Sequence, residues 1–155
     1  MEIPADIQIL STIKTGSVYY FEEETFVNSE EPHYFIVLNK NPRTEDFVIL
    51  VCASSKVSKR QSIAIHLGFP PETLVVIQPQ EYPLFKCETI IDCNNVFEKS
   101  IQTLISKLEK GELRLCAKMM PETIVQKLIK GVLKSNQVSI EVQETLANNS
   151  VQPDN

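Results

Sequence analysis

The hydrophobic pattern of this 155-residue chain changes its period about two-thirds of the way along. Before that point, β-branched and aromatic residues come in short runs bounded by Pro, Asn, Gly or charged residues, a pattern typical of strands. After it, apolar residues recur at spacings of three and four, as they do on one face of a helix. The sequence therefore predicts an antiparallel sheet followed by helices.

Six short runs are predicted to be strands: residues 16–21, 33–39, 47–53, 63–66, 74–77 and 89–92. The second and third runs are apolar at nearly every position and are joined by a polar turn segment, which is typical of neighbouring antiparallel strands covered on both faces. Six short strands of this kind suggest a small barrel. The predicted fold class is therefore mainly β (β+α), with the helices at the C-terminal end.

The last third of the chain is predicted to be helical. Asn95 with Glu98 three residues later has the form of a capping box, and Gly111 stands where the following helix would stop. Pro121 is well placed as the first residue of a second helix. A third element, residues 139–146, fits either a helix or an alternating strand; its acidic and amide side chains have little β-propensity, which favours the helix.

These elements divide the chain into three parts. Residues 1–110 are predicted to form the barrel with its closing helix, and residues 111–147 a helical C-terminal extension. Residues 148–155 are polar and have little apolar surface to bury, so we predict a disordered tail.

Composition excludes several classes of protein. The longest apolar run, residues 47–53, is far shorter than the roughly 20 residues of a membrane span. The N-terminal residues are acidic and have no long apolar stretch, unlike a secretory signal, so a cytoplasmic location is the default expectation. No Gly-rich phosphate loop, C-x-x-C pair or His-rich segment is present, and we expect neither a cofactor nor a metal site.

The formal net charge of −5 hides two basic zones. Counted by block, residues 1–31 carry −6, 32–66 carry +3, 67–98 carry −4, 99–134 carry +5 and 135–155 carry −3. A net acidic chain argues against a protein that binds nucleic acid. The two basic blocks nevertheless leave both RNA and an acidic protein as possible partners.

One group of residues combines the side chains that RNA cleavage requires. His33 opens the second predicted strand, and Ser54 and Ser55 follow the third; antiparallel neighbours bring the start of one strand near the end of the next. An imidazole that titrates near neutral pH, hydroxyl donors and adjacent cations could cleave RNA without a metal. The predicted catalytic residues are His33, Ser54 and Ser55, and the predicted substrate-binding residues are Lys56, Lys59, Arg60 and Asn39.

A second interpretation needs no catalysis. A histidine before a strand is usually a surface or hydrogen-bonding residue, and Ser-Ser-Lys after a strand is ordinary turn chemistry. The predicted helix after Pro121 carries Lys127, Lys130 and Lys134 at spacings of three and four, where like charges repel unless an acidic partner lies opposite. The alternative is therefore a catalytically inactive binding module that recognises an acidic protein segment.

The order of these motifs resembles a known family. Residues 16–21 (Gly-Ser-Val-Tyr-Tyr-Phe), an acidic loop, residues 32–39 (Pro-His-Tyr-Phe-Ile-Val-Leu-Asn) and residues 52–56 (Cys-Ala-Ser-Ser-Lys) resemble the opening of the MazF/PemK-like toxins. Residues 90–96 (Ile-Ile-Asp-Cys-Asn-Asn-Val) are similar to the later strand and helix start of that family. The resemblance covers about residues 14–110, through short and degenerate motifs.

The resemblance implies an SH3-like barrel that is usually a homodimer, with an acidic antitoxin as partner. Many members are metal-independent endoribonucleases that cut mRNA, while others poison DNA gyrase or have no known activity. The family's phosphate-binding Arg before Pro is absent here, and Glu31 or His33 stands at that place. The hydroxyl position is kept in kind as Ser54 or Ser55. An arginine that binds a phosphate through two parallel hydrogen bonds cannot be replaced by another side chain without loss of that contact. His33 or Arg60 would therefore have to bind the phosphate in its place.

Overall fold

The computed structural model describes residues 2–26 and 31–150, which form a six-stranded antiparallel sheet and five α-helices. The strands are β1 (Val18–Phe21), β2 (His33–Val37), β3 (Val48–Ser54), β4 (Leu74–Ile77), β5 (Thr89–Lys99) and β6 (Leu113–Cys116). The helices are α1 (Ala5–Thr12), α2 (Val57–Leu67), α3 (Ile101–Glu109), α4 (Glu122–Lys134) and α5 (Ile140–Ser150). None of the described helices is both long enough and apolar enough to cross a membrane.

The sheet is open, with the strand order β4-β5-β3-β2-β1-β6. The expected SH3-like barrel is therefore not formed: β4 and β6 are the two edges of the sheet and do not pair with each other. The physical reason is that helices cover both faces, so the sheet buries its apolar residues without closing on itself. The predicted central position of β2 and β3 is confirmed.

A separate apolar core fills each side of the sheet. On one side, Ile36 and Val51 pack with α4 and α5; on the other, Phe35 and Leu50 pack with α1 and α3. Neighbouring residues of a strand point to opposite faces, so both cores draw on the same strands. The fold is mixed α and β, and the mainly β class is only roughly matched: three helices follow β5, and α1 and α2 precede it.

The predicted strand at residues 63–66 is wrong, because these residues belong to α2. A four-residue apolar run cannot distinguish a strand from a helix by its period. The end of α2 follows a readable signal: Gly68 has a φ of 74°, and the N–H of Phe69 donates to the carbonyl of Ala64 at 3.0 Å. This left-handed glycine is a common helix stop.

The helix predicted after Asn95 begins later, because β5 continues through Lys99. Residues 96–99 of β5 pair with residues 48–51 of β3, and this ladder satisfies the backbone groups that the predicted cap was expected to satisfy. The observed N-cap of α3 is Ser100, whose Oγ accepts from the N–H of Thr103 at 3.1 Å. Asn95 and Glu98 are therefore strand residues.

The C-terminal part of the chain belongs to the same two cores. Residues 111–147, the predicted helical extension, also contain a strand: β6 pairs with β1, and α4 packs on the sheet. Pro121 is the N-cap of α4, and the helix preferred for residues 139–146 is confirmed as α5. Of the predicted disordered tail, the backbone of residues 148–150 continues α5, and residues 151–155 lie outside the described residues.

Candidate functional site

A cleft of about 790 Å³ crosses the end of the sheet at which β2 begins and β3 ends. It is bounded by these strands, the start of α2, the segment before β5, and the middle of β5. All three predicted catalytic residues line it, with three of the four predicted substrate-binding residues: His33, Ser54, Ser55, Lys56, Lys59 and Arg60. The structure therefore brings together most of the group that the sequence indicated.

Asn39 does not belong to this group. It lies past the other end of β2 and is fully buried. Its Nδ2 donates to Glu45 Oε1 and to the carbonyl of Phe47, both at 3.0 Å, and its Oδ1 accepts from the N–H of Ile49 at 3.1 Å. The Asn39 amide thus holds the turn between β2 and β3, and Asn39 is not among the residues that line the cleft.

The strand register explains why His33 and Ser54 share the cleft. Phe35 pairs with Cys52 between β2 and β3, and the same register continued by two residues would bring His33 opposite Ser54. On its other side, His33 pairs with Phe21 of β1. Antiparallel pairing alone therefore places the imidazole beside the hydroxyl turn.

The start of α2 concentrates positive charge at the cleft. Ser54 Oγ accepts from the N–H of Lys56 at 3.1 Å, and this contact leads the chain from β3 into the helix. The helix has neither a side-chain cap nor an acidic residue in its first turn, and Lys59 and Arg60 follow its start. Because the first amides of a helix are unpaired donors and carry partial positive charge, an anion is favoured here.

His33 is only partly exposed, and one of its ring nitrogens is shielded from solvent. Nδ1 is buried and has no hydrogen-bond partner among the described residues. The ring of Phe26 meets the imidazole edge to face, with centroids 5.2 Å apart. Nε2 is therefore the nitrogen that can reach a substrate. An unpaired buried nitrogen costs about 1 to 3 kcal/mol.

Aromatic rings lie on both sides of His33. Because side chains alternate along a strand, Tyr34 leaves the opposite face of β2, where its ring lies 4.6 Å from that of Tyr20 and 5.5 Å from that of Phe85. On the His33 side, Phe26 also contacts Phe97 at 5.7 Å. These rings could stack with planar ligands such as nucleic-acid bases. These rings were not among the predicted site residues, although the aromatic residues of β1 and β2 are visible in the sequence.

A large bulge in β5 forms the opposite wall of the cleft. Val51 and Ala53 of β3 pair with Val96 and Ile91 of β5, so the single residue Cys52 faces the four residues 92–95. Bulges of this kind often lie next to active sites, where they redirect side chains. Two residues of the bulge, Asp92 and Asn95, line the cleft. The sequence did not predict this bulge, because its pattern indicated a strand that ends at Asp92 and a helix that starts near Asn95.

The carboxylate of Asp92 and the amide of Asn94 fix the shape of the bulge. Asp92 Oδ1 accepts from the N–H of Asn94 at 3.0 Å and from its Nδ2 at 2.8 Å. The same Nδ2 donates to Thr73 Oγ1 at 2.8 Å, and Ser135 Oγ donates to Asn94 Oδ1 at 2.7 Å. The bulge is therefore anchored to the 3-10 turn before β4 and to the end of α4.

Cys52 lines the cleft but is not a nucleophile at neutral pH. Burial raises the pKa of its thiol to about 12. The positive charge of Arg60 lowers this pKa by less than burial raises it, and the negative charge of Glu23 raises it further. The reactive form of cysteine is the thiolate, so this side chain remains protonated and packs as an apolar group.

Two glutamates of the acidic loop after β1 are paired with lysines. Glu23 Oε1 lies 2.7 Å from Lys99 Nζ, and Glu24 Oε2 lies 2.9 Å from Lys107 Nζ. Each of these carboxylates is therefore neutralised by a cation outside the cleft. The acidic block of residues 1–31 therefore repels an anionic ligand in the cleft less strongly than its net charge of −6 suggests.

Comparison with known proteins finds no matching family model and no matching curated protein. The resemblance to the MazF/PemK-like toxins therefore stays a prediction from the sequence motifs. Among the residues that the structure describes, no three His, Cys, Asp or Glu side chains cluster in a way that could hold a metal ion.

Proposed function

We propose that the cleft binds single-stranded RNA and that the protein cuts it as a metal-independent endoribonuclease of the MazF/PemK-like toxin type. The observation that carries this proposal is the sharing of one cleft by His33, the two serine hydroxyls and three cations, beside aromatic rings on either side. An imidazole supplies proton transfer, hydroxyls and cations hold a phosphate, and rings stack with bases.

In the proposed reaction, the RNA supplies its own nucleophile. His33 Nε2 takes the proton of a 2′-hydroxyl, whose oxygen forms a bond to the adjacent phosphorus while the bond from phosphorus to the 5′-oxygen breaks. The products are a 2′,3′-cyclic phosphate and a 5′-oxygen that takes its proton from water. Ser54, Ser55 and Lys56 stabilise the charge on the phosphoryl oxygens, and Arg60 takes the place of the missing family arginine.

The aromatic rings favour a single strand over a duplex. Bases within an A-form helix are stacked on each other and cannot stack with protein rings, whereas the bases of a single strand can be splayed apart. The rings of Tyr20 and Tyr34 on one face and those of Phe26 and Phe97 on the other would receive bases on either side of a phosphate near His33.

A cleavage assay with two histidine variants tests the proposal. Purified protein is incubated with a mixed RNA pool in EDTA, as wild type, as His33→Ala and as His66→Ala. His66 is exposed on α2 and does not line the cleft, so it is the matched control. We expect the wild type and His66→Ala to cut alike, and His33→Ala to be slower by at least about 100-fold.

The products and a second variant make this test decisive. A terminal 2′,3′-cyclic phosphate is expected on the upstream fragments. His33→Gln, which keeps a polar side chain but cannot accept a proton as an imidazole does, should be as slow as His33→Ala. The mechanism is wrong if the wild type cuts nothing, or if either His33 variant cuts as fast as the control.

The exposed face of α4 favours a second function, the binding of an acidic, antitoxin-like protein segment. Lys127, Lys130 and Lys134 are exposed, while the opposite face of the helix is buried against the sheet. Binding of a fluorescent poly-glutamate peptide tests this function. Charge reversal of the three lysines should abolish binding, whereas charge reversal of Lys59 and Arg60 should not; the opposite result would place the acidic segment in the cleft.

A further inference from the structure

The bulge of β5 presents one side chain to the cleft without using it in the fold. Asn95 is exposed, lines the cleft, and forms no side-chain hydrogen bond with any of the described residues. The neighbouring Asn94 is buried, and its side-chain amide forms hydrogen bonds with three partners. Two adjacent asparagines therefore have different tasks: Asn94 holds the bulge, and Asn95 is left with a free donor and a free acceptor.

The backbone that carries Asn95 is fixed from several sides. Asp92 closes the bulge, and the Asn94 amide ties it to Thr73 and Ser135, which belong to two other elements. A side chain on such a support can hold a hydrogen-bonding geometry that a loop residue would lose. Phe97, two residues further along β5, also lines the cleft and offers a ring on which a base could stack.

We propose that Asn95 is a specificity-determining residue, whose carboxamide reads the edge of one base of the bound strand. This inference rests on the proposed binding of single-stranded RNA. A carboxamide offers one N–H donor and one oxygen acceptor side by side, which is the arrangement that recognises a base edge through two hydrogen bonds. In single-stranded RNA the Watson–Crick edge is free to be read in this way.

Binding of four short oligonucleotides tests the inference. We would use fluorescent 2′-O-methyl hexamers of uridine whose fourth base is A, C, G or U, because the blocked 2′-oxygen prevents cleavage during the titration. One pair of hydrogen bonds to a base contributes about 1 to 3 kcal/mol of discrimination. We therefore expect the wild type to bind its best hexamer at least about fivefold more tightly than its worst.

Two substitutions at Asn95 should change this pattern in different ways. Asn95→Ala should bring the four affinities to within about twofold of each other while leaving the weakest one unchanged. Asn95→Asp replaces the donor by a second acceptor, and guanine alone carries two adjacent donors on its Watson–Crick edge. It should therefore raise the affinity for the G hexamer relative to the other three. Asn136→Asp, on an exposed residue away from the cleft, controls for the added charge.

Each outcome separates this inference from the proposed function. If the wild type binds none of the hexamers, the proposed function fails and the inference falls with it. If the wild type binds all four equally, or if Asn95→Ala keeps the wild-type preference, RNA binding stands and the role of Asn95 is wrong. The same holds if Asn95→Asp only weakens all four affinities as Asn136→Asp does.

Discussion

Oε1 of Glu23 lies 2.7 Å from Nζ of Lys99, and the two side chains are only 1% and 14% exposed. The contact joins the acidic loop after β1 to the last residue of β5, and Thr25 Oγ1 also donates to the Glu23 carboxylate at 2.6 Å. Removing one partner of such a pair leaves a charge buried without compensation, which costs more than the pair itself contributes.

We therefore predict that Lys99→Met lowers the free energy of unfolding by about 3 kcal/mol, and that adding Glu23→Leu restores most of the loss. The Glu24–Lys107 pair is the matched control, because its carboxylate is 62% exposed and Glu24→Gln should cost less than about 1 kcal/mol. Urea titrations of the wild type and of these three variants measure these values. Equal losses in Lys99→Met and in the double variant would contradict the prediction.

At Gly131, α4 packs closely against the 3-10 turn before β4 and against β5. A Cβ built on it would lie 2.7 Å from the carbonyl oxygen of Glu72 and 2.8 Å from Cys93 Sγ, so one of these groups would have to move. We predict that Gly131→Ala lowers the free energy of unfolding by about 1 to 3 kcal/mol. At a solvent-exposed position of a helix, the same change would raise the free energy of unfolding by about 1 kcal/mol.

Chemical denaturation of Gly131→Ala and of the wild type shows directly whether the substitution lowers or raises the free energy of unfolding. Gln126→Ala, on the exposed face of the same helix, is the control and should change stability by less than about 0.5 kcal/mol. A stabilised Gly131→Ala variant would show that α4 packs less closely on β5 than the structure indicates.

The buried thiols make the fold sensitive to alkali. Burial raises the pKa of Cys52 and that of Cys93 to about 12 from an ordinary value of 9.0. Above pH 9 the unfolded chain releases these protons while the folded chain keeps them. The stabilisation is therefore complete below pH 9 and is lost as the pH rises towards 12, by up to about 1.4 kcal/mol per pH unit for each thiol.

Unfolding free energies at pH 8, 9, 10 and 10.5 test this dependence. Burial also raises the pKa of Tyr19 and of Tyr82, so a decline with pH should persist in any single cysteine variant. Cys52→Ala should nevertheless show a shallower decline than the wild type. Identical slopes in the two proteins would show that the Cys52 thiol ionises equally in the folded and unfolded states.

Arg60 should contribute to RNA affinity through a phosphate. Each phosphate contact to a single strand changes the slope of log K against log salt concentration by about 0.7. We predict that Arg60→Gln lowers the magnitude of this slope by about that amount and weakens all RNA sequences alike. Lys40→Gln, an exposed cation that does not line the cleft, should leave the slope unchanged; a loss confined to one sequence would assign Arg60 to base recognition instead.

Local sequence patterns predicted those parts of the fold that depend on the residues of one element or of two consecutive strands. The continuous apolar runs of β2 and β3 predicted a central strand pair, and the apolar stripe after Pro121 predicted α4. The sharing of one cleft by His33 and Ser54 followed from antiparallel pairing. These features depend on period and chain order, which can be determined from a single sequence.

The remaining features depend on residues far away in the chain. Asn95 and Glu98 form a plausible helix start by themselves, but pairing with β3 draws them into β5, where the ladder satisfies the backbone better than one cap. The run beginning at Ile63 has a strand-like composition, yet it forms the middle of α2. Strand β6 gives too short a signal to be found without its partner β1.

The sequence by itself determined the central strand pair, the helices α4 and α5, and the cluster of imidazole, hydroxyls and cations, because these follow from local period and from the pairing of neighbouring strands. Only the tertiary structure decided that the sheet stays open, that Asn39 holds a turn, and that a four-residue bulge carries Asn95 into the cleft. The physical reason is that helices on both faces bury the sheet without closure, and that hydrogen bonds between distant residues such as Asn94 and Ser135 fix the bulge.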